Sequence, residues 1–240
     1  MNFIDFKNNL ISFLFPEKCT CCGEIIHSGE GICRYCKSAL KRVEEKRCLK
    51  CGMGVKFCEC RFNVFRFEGI VAPFYNVGVA RRGIYNAKFN SRVTAHNFFI
   101  KEMNDCTKKY YGEVDFDAVT FVPTSRKRLY ERGYNQSEIL AKGVAERLKV
   151  PLCDLLKTKG KHTRQHEVSN FKERFKNVNG VYFAKEKINF ENVLLVDDIK
   201  TTGATLDECA RCLKLAGAKN VYCITALVTN PRLKKEKNQV

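Results

Sequence analysis

Two neighbouring carboxylates, Asp197 and Asp198, stand just before the run Lys200-Thr201-Thr202-Gly203-Ala204-Thr205, and this combination of residue types suits a phosphorylated sugar. A turn that enters a helix offers free backbone N–H groups and the positive end of the helix dipole, a ready place for a phosphate. Gly203 lets the backbone come close to the anion or take a positive φ. The dipole contributes only ~0.3–1 kcal/mol, or ~2 kcal/mol in a partly buried geometry. Each hydrogen bond to a charged group adds ~1.5–3 kcal/mol, so the bonds carry most of the affinity and the dipole mainly orients the phosphate. The two carboxylates would repel a phosphate set on them, but they accept hydrogen bonds from sugar hydroxyls or hold Mg²⁺ through water. A ribose 5-phosphate unit fits both halves.

Such a constellation needs a strand to deliver the acids and a helix to receive the turn. Val193-Leu194-Leu195-Val196 is a continuous apolar run of the kind found in parallel sheets covered on both faces. From Thr205 onward, Leu206, Cys209, Ala210, Leu213 and Ala216 recur at helical spacing. Gly217 stops that helix, and the next strand opens at Asn220 and runs to Val228. The whole stretch resembles the PRPP (phosphoribosyl pyrophosphate) motif of type I phosphoribosyltransferases: four apolar residues, then Asp-Asp-x-x-x-Thr-Gly-x-Thr. The competing reading is a capped helix at a Rossmann-like strand end with a solvated acid pair. A Walker A loop does not fit, because no Gly-Lys-Ser/Thr ending is present.

A second group of chemistry-bearing residues follows the apolar strand Ala118 to Val122, which Pro123-Thr124-Ser125 ends. Arg126, Lys127, Arg128 and Arg132 crowd beside Gly133-Tyr134-Asn135-Gln136, and Lys88 closes an earlier helix. Arginine forks and free amides suit a departing pyrophosphate, while the plainer reading is a solvated basic helix. Strands alternating with helices define an α/β fold with a mostly parallel sheet flanked by helices. Ligands of such sheets bind beyond the carboxyl ends of the strands, which sets the loops after Val122 and Val196 on one rim.

The third group is cysteine. Nine of the fourteen lie between Cys19 and Cys60, mostly in close pairs: Cys19/Cys22, Cys33/Cys36, Cys48/Cys51 and Cys58/Cys60. A Cys-x2-Cys knuckle aims two thiolates at one cation, and two knuckles complete a tetrahedral zinc site. Gly23 and Gly52 follow the first and third pairs, where the knuckle turns tightly. The simplest pairing is sequential, giving one or two structural zinc ions; interleaved pairing also satisfies the spacing, and Cys21 offers an alternative knuckle. So short a head would draw its folding free energy from metal. Clustered pairs without a visible signal peptide point to a reducing cytoplasm rather than a disulfide scaffold. Cys209 and Cys212 share the spacing but sit in a helix, where they read as small buried side chains.

At 240 residues the chain has room for one large domain and a small appendage. Its net charge of +17 favours anionic partners: phosphorylated metabolites, pyrophosphate or nucleic acid. The boundaries read as an N-terminal helix at 1–15, a double zinc ribbon at 16–61, a domain resembling the phosphoribosyltransferases at 62–230 and a disordered basic tail at 231–240. Phe3 to Phe15 is too short and too charged to span a bilayer, so no transmembrane segment is expected. Arg61 to Tyr75 reads as linking strands, and Val77 to Tyr111 as helix with a break near Asn90-Ser91. Lys157 to Asn179, with His162, Gln165, His166, Arg174 and Asn177, reads as a mobile surface loop that in an enzyme excluding water would serve as a lid.

In order, these motifs resemble the ComF (ComFC-like) family: paired cysteines, Lys-Phe after a helix, Val-Pro then Arg-x3-Arg-Gly-Tyr-Asn-Gln, a Gln…Arg-x2-Asn lid and Leu-Val-Asp-Asp-x3-Thr-Gly-Ala-Thr. The likeness spans roughly residues 16 to 229. It implies a type I phosphoribosyltransferase-like fold with a small N-terminal zinc-ribbon head. It also implies Asp197 and Asp198 on the ribose hydroxyls and Mg²⁺, and Thr201 to Thr205, with Lys200, around the 5-phosphate. Lys88, Arg128 and Arg132 would face pyrophosphate. Two departures stand out: the fourth knuckle is Cys58-x-Cys60 where members more often have Cys-x2-Cys, and the lid spacing after Gln165 is shifted by a residue. The implied activity is phosphoribosyl transfer from Mg–PRPP to an acceptor, in a process of DNA uptake (natural competence) that brings single-stranded DNA or competence proteins as partners. The alternative from another class is a non-catalytic module that handles single-stranded DNA and keeps a nucleotide-sensing pocket.

Overall fold

The computed structural model describes residues 17–27, 29, 31–58, 60, 65–87, 94–159 and 180–235. The expected helix at 1–15, Lys88, the helix break at Asn90-Ser91, the lid from residue 160 to 179 with its two histidines, and residues 236–240 lie outside them.

The sheet is parallel throughout. Strand β1 (Gly69–Val71) and the short β2 (Phe74–Tyr75) both pair with β7 (Asn220–Val228), which pairs with β6 (Asn192–Lys200), which pairs with β3 (Ala118–Phe121). Pro73, which has no amide hydrogen to give to a ladder, separates β1 from β2. Beyond β3, Leu152 makes one further parallel bridge to Val119. Side chains of β6 alternate as a two-faced strand requires. Val193 and Leu195 enter one core with Leu206, Cys209 and Leu213 of helix α6 (Ala204–Ala216). Leu194 and Val196 enter the other, with Leu140 and Val144 of α5 (Gln136–Leu148) and Phe99 and Met103 of α3 (Thr94–Tyr111). Cys209 and Cys212 are buried small side chains, as their helical spacing implies.

The strand that carries the acids is longer than its apolar run. β6 continues through Asp197 and Asp198 to Lys200, because the nine-residue β7 keeps pairing with it as far as Lys200↔Val228. The basic segment after β3 is two helices, not one. The short α4 (Arg126–Arg132) ends at Gly133 in the left-handed region, and α5 begins after Asn135. Strands β4 (Leu156–Thr158) and β5 (Tyr182–Ala184) form a separate antiparallel pair.

The cysteine-rich segment does not hang off this body. Its Cys21, Ile32 and Leu40, together with α1 (Arg34–Ser38), pack in the same core as Ile84 of α2 (Gly78–Ala87) and Phe98. Its Val43, Cys51 and Met53 pack with Ala72, Tyr75 and Val228 at the sheet edge. Backbone bonds stitch that edge to the ribbon: Ile70 N to Leu49 O at 2.7 Å, Val43 N to Pro73 O at 3.0 Å and Tyr75 N to Lys41 O at 2.9 Å. Arg47 adds a bond to Ala72 O at 2.8 Å and lies 4.2 Å over the Tyr110 ring.

The expected disordered tail from residue 231 is corrected at its start. Pro231–Lys235 is a helix, α7, whose opening amide at Arg232 is accepted by Asn230 Oδ1 at 3.0 Å. Pro suits the first helical position, and Leu233 is buried beside Val43 and Val228, which ties the segment down.

Candidate functional site

The rim is assembled where β3 and β6 end. Strand β6 raises Asp197 and Asp198, both half-buried, then turns through Thr201, Thr202 and Gly203 into α6. Gly203 takes φ 91°, a left-handed conformation, and a Cβ there would meet Phe65 at 3.1 Å and the Lys200 stem at 3.3 Å. Thr202 Oγ1 accepts from Ala204 N at 3.3 Å, giving the first turn of α6 the cap its Gly203 cannot supply. The next two amides, of Thr205 and Leu206, have no intrahelical acceptor.

Asp197 is held from two sides: Ser137 Oγ donates to its Oδ1 at 2.8 Å and the Asp198 amide donates to the same oxygen at 2.9 Å. Sequence reasoning missed Ser137. Its signal was position, a small hydroxyl directly after Asn135-Gln136 at a helix start. Tyr182 is the second residue missed. It is buried, and burial raises its phenol, with Asp197 adding to the rise while Thr205 and the Arg128 charge oppose it. Thr205 hydrogen-bonds this phenol, and the opposite charges of Asp197 and Arg128 act on it in opposite directions.

The polar run Tyr134-Asn135-Gln136 after α4 is largely architectural. Tyr134 OH donates to Ala87 O at 2.7 Å, at the end of α2 and one residue before Lys88. Asn135 caps α5 through Ser137 N at 3.2 Å and donates to Val122 O at 3.0 Å. Gln136 donates to Ile84 O at 3.1 Å. Ser125 caps α4 by accepting from Arg128 N at 3.4 Å. What these bonds hold out is α4, every residue of which is exposed, including Arg128, Arg132 and Tyr130, the last 93% exposed.

Lys200 stands apart from its expected place at the phosphate turn. It is 5% exposed, and its ammonium donates to Cys51 O at 2.9 Å, inside the junction with the ribbon. Burial lowers its pKa, opposed by the neighbouring Cys51, Cys60, Cys48 and Cys58.

The paired cysteines gather into two groups, Cys19/Cys22/Cys33/Cys36 and Cys48/Cys51/Cys58/Cys60, each with its sulfurs within 4.8 Å of one another. Tetrahedral Zn–S bonds of about 2.3 Å place sulfurs about 3.8 Å apart. The Cys22–Cys33 separation is 3.7 Å and the Cys48–Cys60 separation 3.5 Å, so both sets fit a zinc ion. The pairing is sequential. Cys21 stays out of the first group, buried with its Sγ against Gly83. Burial opposes charge on Cys19, yet backbone donors at Cys33, Cys22 and Cys21 bring its thiol down to about 7. Cys58 is likewise brought to about 7, against burial, by donors at Cys60 and the neighbouring thiols. Full closure by four protein sulfurs makes these structural sites.

Among the described residues no helix is long and apolar enough to cross a membrane.

A family model of the phosphoribosyl transferase domain matches residues 135–240, and one of the double zinc ribbon domain matches residues 10–61. Competence protein ComFC of Streptococcus pneumoniae is 30% identical over 207 residues, covering 79% of this chain and 84% of that protein. ComFC of Bacillus subtilis is 26% identical over 202 residues, covering 79% and 80%. The match to competence protein F of Haemophilus influenzae, 30% identical over 108 residues, covers 44% of this chain and spans about half of that relative, 47%. Among solved structures, a glutamine PRPP amidotransferase from B. subtilis complexed with ADP and GMP is 21% identical, with a TM-score of 0.42, over 69% of this chain and 32% of that one. With its double zinc ribbon packed onto a type I phosphoribosyltransferase-like sheet, and with that pneumococcal relative matched along most of both lengths, the chain belongs to the ComFC family.

Proposed function

We propose that this protein binds Mg–PRPP, or a related ribose 5-phosphate ligand, across the carboxyl rim of its sheet, and that it does so in the cytoplasmic handling of DNA during uptake. One observation carries the reading. A single strand, β6, delivers two carboxylates to the rim and then turns through Thr201–Gly203 into the amides of α6. The 5-phosphate would rest on the amides and hydroxyls from Thr201 to Thr205, and the ribose hydroxyls on Asp197 and Asp198. Hard carboxylate oxygens are the donor set Mg²⁺ takes, through water, when it arrives with its pyrophosphate ligand. Arg128, Arg132 and Lys88 are assigned to the pyrophosphate, and Lys200 to the junction beneath.

In this reading the bond from the anomeric carbon to pyrophosphate breaks, leaving oxocarbenium-like charge on the ribose, and a bond forms to the acceptor nucleophile. The basic residues neutralise the leaving group, a form of electrostatic stabilisation that dominates many enzymes. Asp197 positions the ring rather than acting as a base, and its bond from Ser137 fixes it for that task. The test is calorimetry with Mg–PRPP. Wild type binds, and Asp197→Asn with Asp198→Asn abolishes binding at nearly unchanged thermal stability. Tight binding by the double variant would overturn the assignment.

A second reading draws on α4. Its Tyr130 is 93% exposed among Arg126, Lys127, Arg128 and Arg132, a combination that follows a phosphate backbone and stacks on bases. A single-strand binding role predicts affinity that falls steeply with salt and disappears with Tyr130→Ala and Arg126→Glu rather than with loss of the acid pair.

A further inference from the structure

The second cysteine cluster and the phosphate turn are joined by one side chain. The Lys200 stem runs beneath Gly203, 3.3 Å from where a Cβ would stand, and its ammonium reaches Cys51 O at 2.9 Å. Cys51 is one of the four sulfur donors of that cluster, and its neighbour Gly52 packs against Ile70 O of β1. The Lys200 carbonyl in turn accepts from Thr229 N at 2.8 Å, so the backbone at the head of the turn is fixed while its side chain is anchored in the knuckle. Against the same position lies Phe65, stacked on Phe67 with ring centroids 4.8 Å apart. Next to it Arg66 clamps the first turn of α6, its amide and guanidinium meeting Asp207 at 2.5 and 2.6 Å.

A buried ammonium beside four thiolates has an electrostatic reason to stay. A zinc tetrathiolate carries two net negative charges, and a cation held against it in a dry junction offsets one of them. Removing the metal loosens the Cys48–Cys51 knuckle and with it the anchor of Lys200. The turn that must present its amides at fixed spacing then loses one of its supports.

We infer that Lys200 is a positioning residue that couples zinc in the Cys48/Cys51/Cys58/Cys60 cluster to ligand binding at the Thr201–Thr205 turn. This rests on the Mg–PRPP reading given above. Coupling between two sites is reciprocal: whatever factor zinc contributes to ligand affinity, the ligand contributes to zinc retention. The first cluster, which packs on α2 and α3 away from the turn, has no such link through Lys200.

The experiment uses the full-length zinc protein. Transfer of zinc to a chromogenic chelator is followed with and without saturating Mg–PRPP, beside calorimetry of Mg–PRPP binding. In parallel, cadmium-substituted protein is examined by cadmium NMR, with the first-cluster resonance identified through Cys22→Ser. The expected result is that ligand slows release from one site by about ten-fold, within the roughly 5- to 150-fold usual for coupled sites, and shifts only the second-cluster resonance. Lys200→Met should bind Mg–PRPP about ten-fold more weakly and lose the protection. If that variant does not fold, the wild-type release rates and resonances decide alone. Wild-type protein that binds Mg–PRPP but releases both zinc ions at unchanged rates would overturn the coupling. Failure of wild-type protein to bind Mg–PRPP at all would overturn the functional reading and the coupling with it.

Discussion

Ser137, in the first turn of α5, donates its hydroxyl to Asp197 Oδ1 across 2.8 Å and so fixes one member of the acid pair from the neighbouring helix. The bond links the two chemical stretches of the chain, the basic segment after β3 and the acid pair on β6. A hydrogen bond to a charged group contributes about 1.5–3 kcal/mol. Ser137→Ala should therefore weaken Mg–PRPP binding roughly ten-fold, with a smaller loss of thermal stability. Isothermal titration beside a melting curve separates the two effects, and unchanged affinity would remove Ser137 from the site.

Gly83, in the middle of α2, is packed so closely that a Cβ would stand 2.6 Å from Cys21 Sγ and 2.9 Å from the Phe99 ring. Overpacking of this kind costs about 1–3 kcal/mol. Gly83→Ala should lower the melting temperature by about 2–4 °C for each kcal/mol. Gly133→Ala places its Cβ in open space and acts through backbone strain alone. Comparing the two melts tests whether the ribbon is pressed onto α2.

Chelation should unfold more than the ribbon. Because the first cluster shares a core with Phe98 and Met103, and the second with Tyr75 and Val228, loss of zinc exposes apolar surface of the sheet and of α3. Hydrogen exchange after zinc removal is expected to speed up in residues 98–106 and along β1 and β2 as well as in residues 17–60. Acceleration confined to 17–60 would mark the ribbon as an independent unit.

Glu208 gives a pH signature. It is buried in α6, accepts from Gly180 N at 2.9 Å and pairs with Arg211 at 2.7 and 2.8 Å. Burial raises its pKa, but Arg211 and the Gly180 amide outweigh that and hold the carboxyl below its ordinary value. A folded pKa below the unfolded one means the stabilisation is complete above the unfolded value, about 4.3, and lost as pH falls through the folded value. Glu208→Gln should cost about 1–3 kcal/mol at pH 7 and flatten the acid limb of a stability–pH curve. An acid limb identical to wild type would show that other carboxylates set it.

Much of this was legible in the chain because the signals were local. The apolar run before Asp197, the helical stripe from Leu206 to Leu213 and the cysteine pairs each report on their own neighbours, and each appears where its pattern implies. The direction of Lys200 was not legible. It depends on β7 being long enough to hold β6 in register as far as Val228, and on a knuckle carbonyl contributed by Cys51 from far along the chain. Nothing local in the run Tyr134-Asn135-Gln136 identifies what its side chains bond to. Their partners are carbonyls of Ala87, Val122 and Ile84, contacts that only the packed helices create. The tail misled for the opposite reason, since one leucine among many charges was enough to seat its helix.

The ribbon also answers a problem that an open sheet poses. β1 and β2 form one margin of the sheet, and their unpaired side meets backbone donors and acceptors of residues 41–49 instead of another chain. Bare strand margins recruit copies of themselves and seed aggregates. A cell short of zinc would then yield protein that clumps through this margin, so solubility during synthesis should follow metal supply even before any ligand is met.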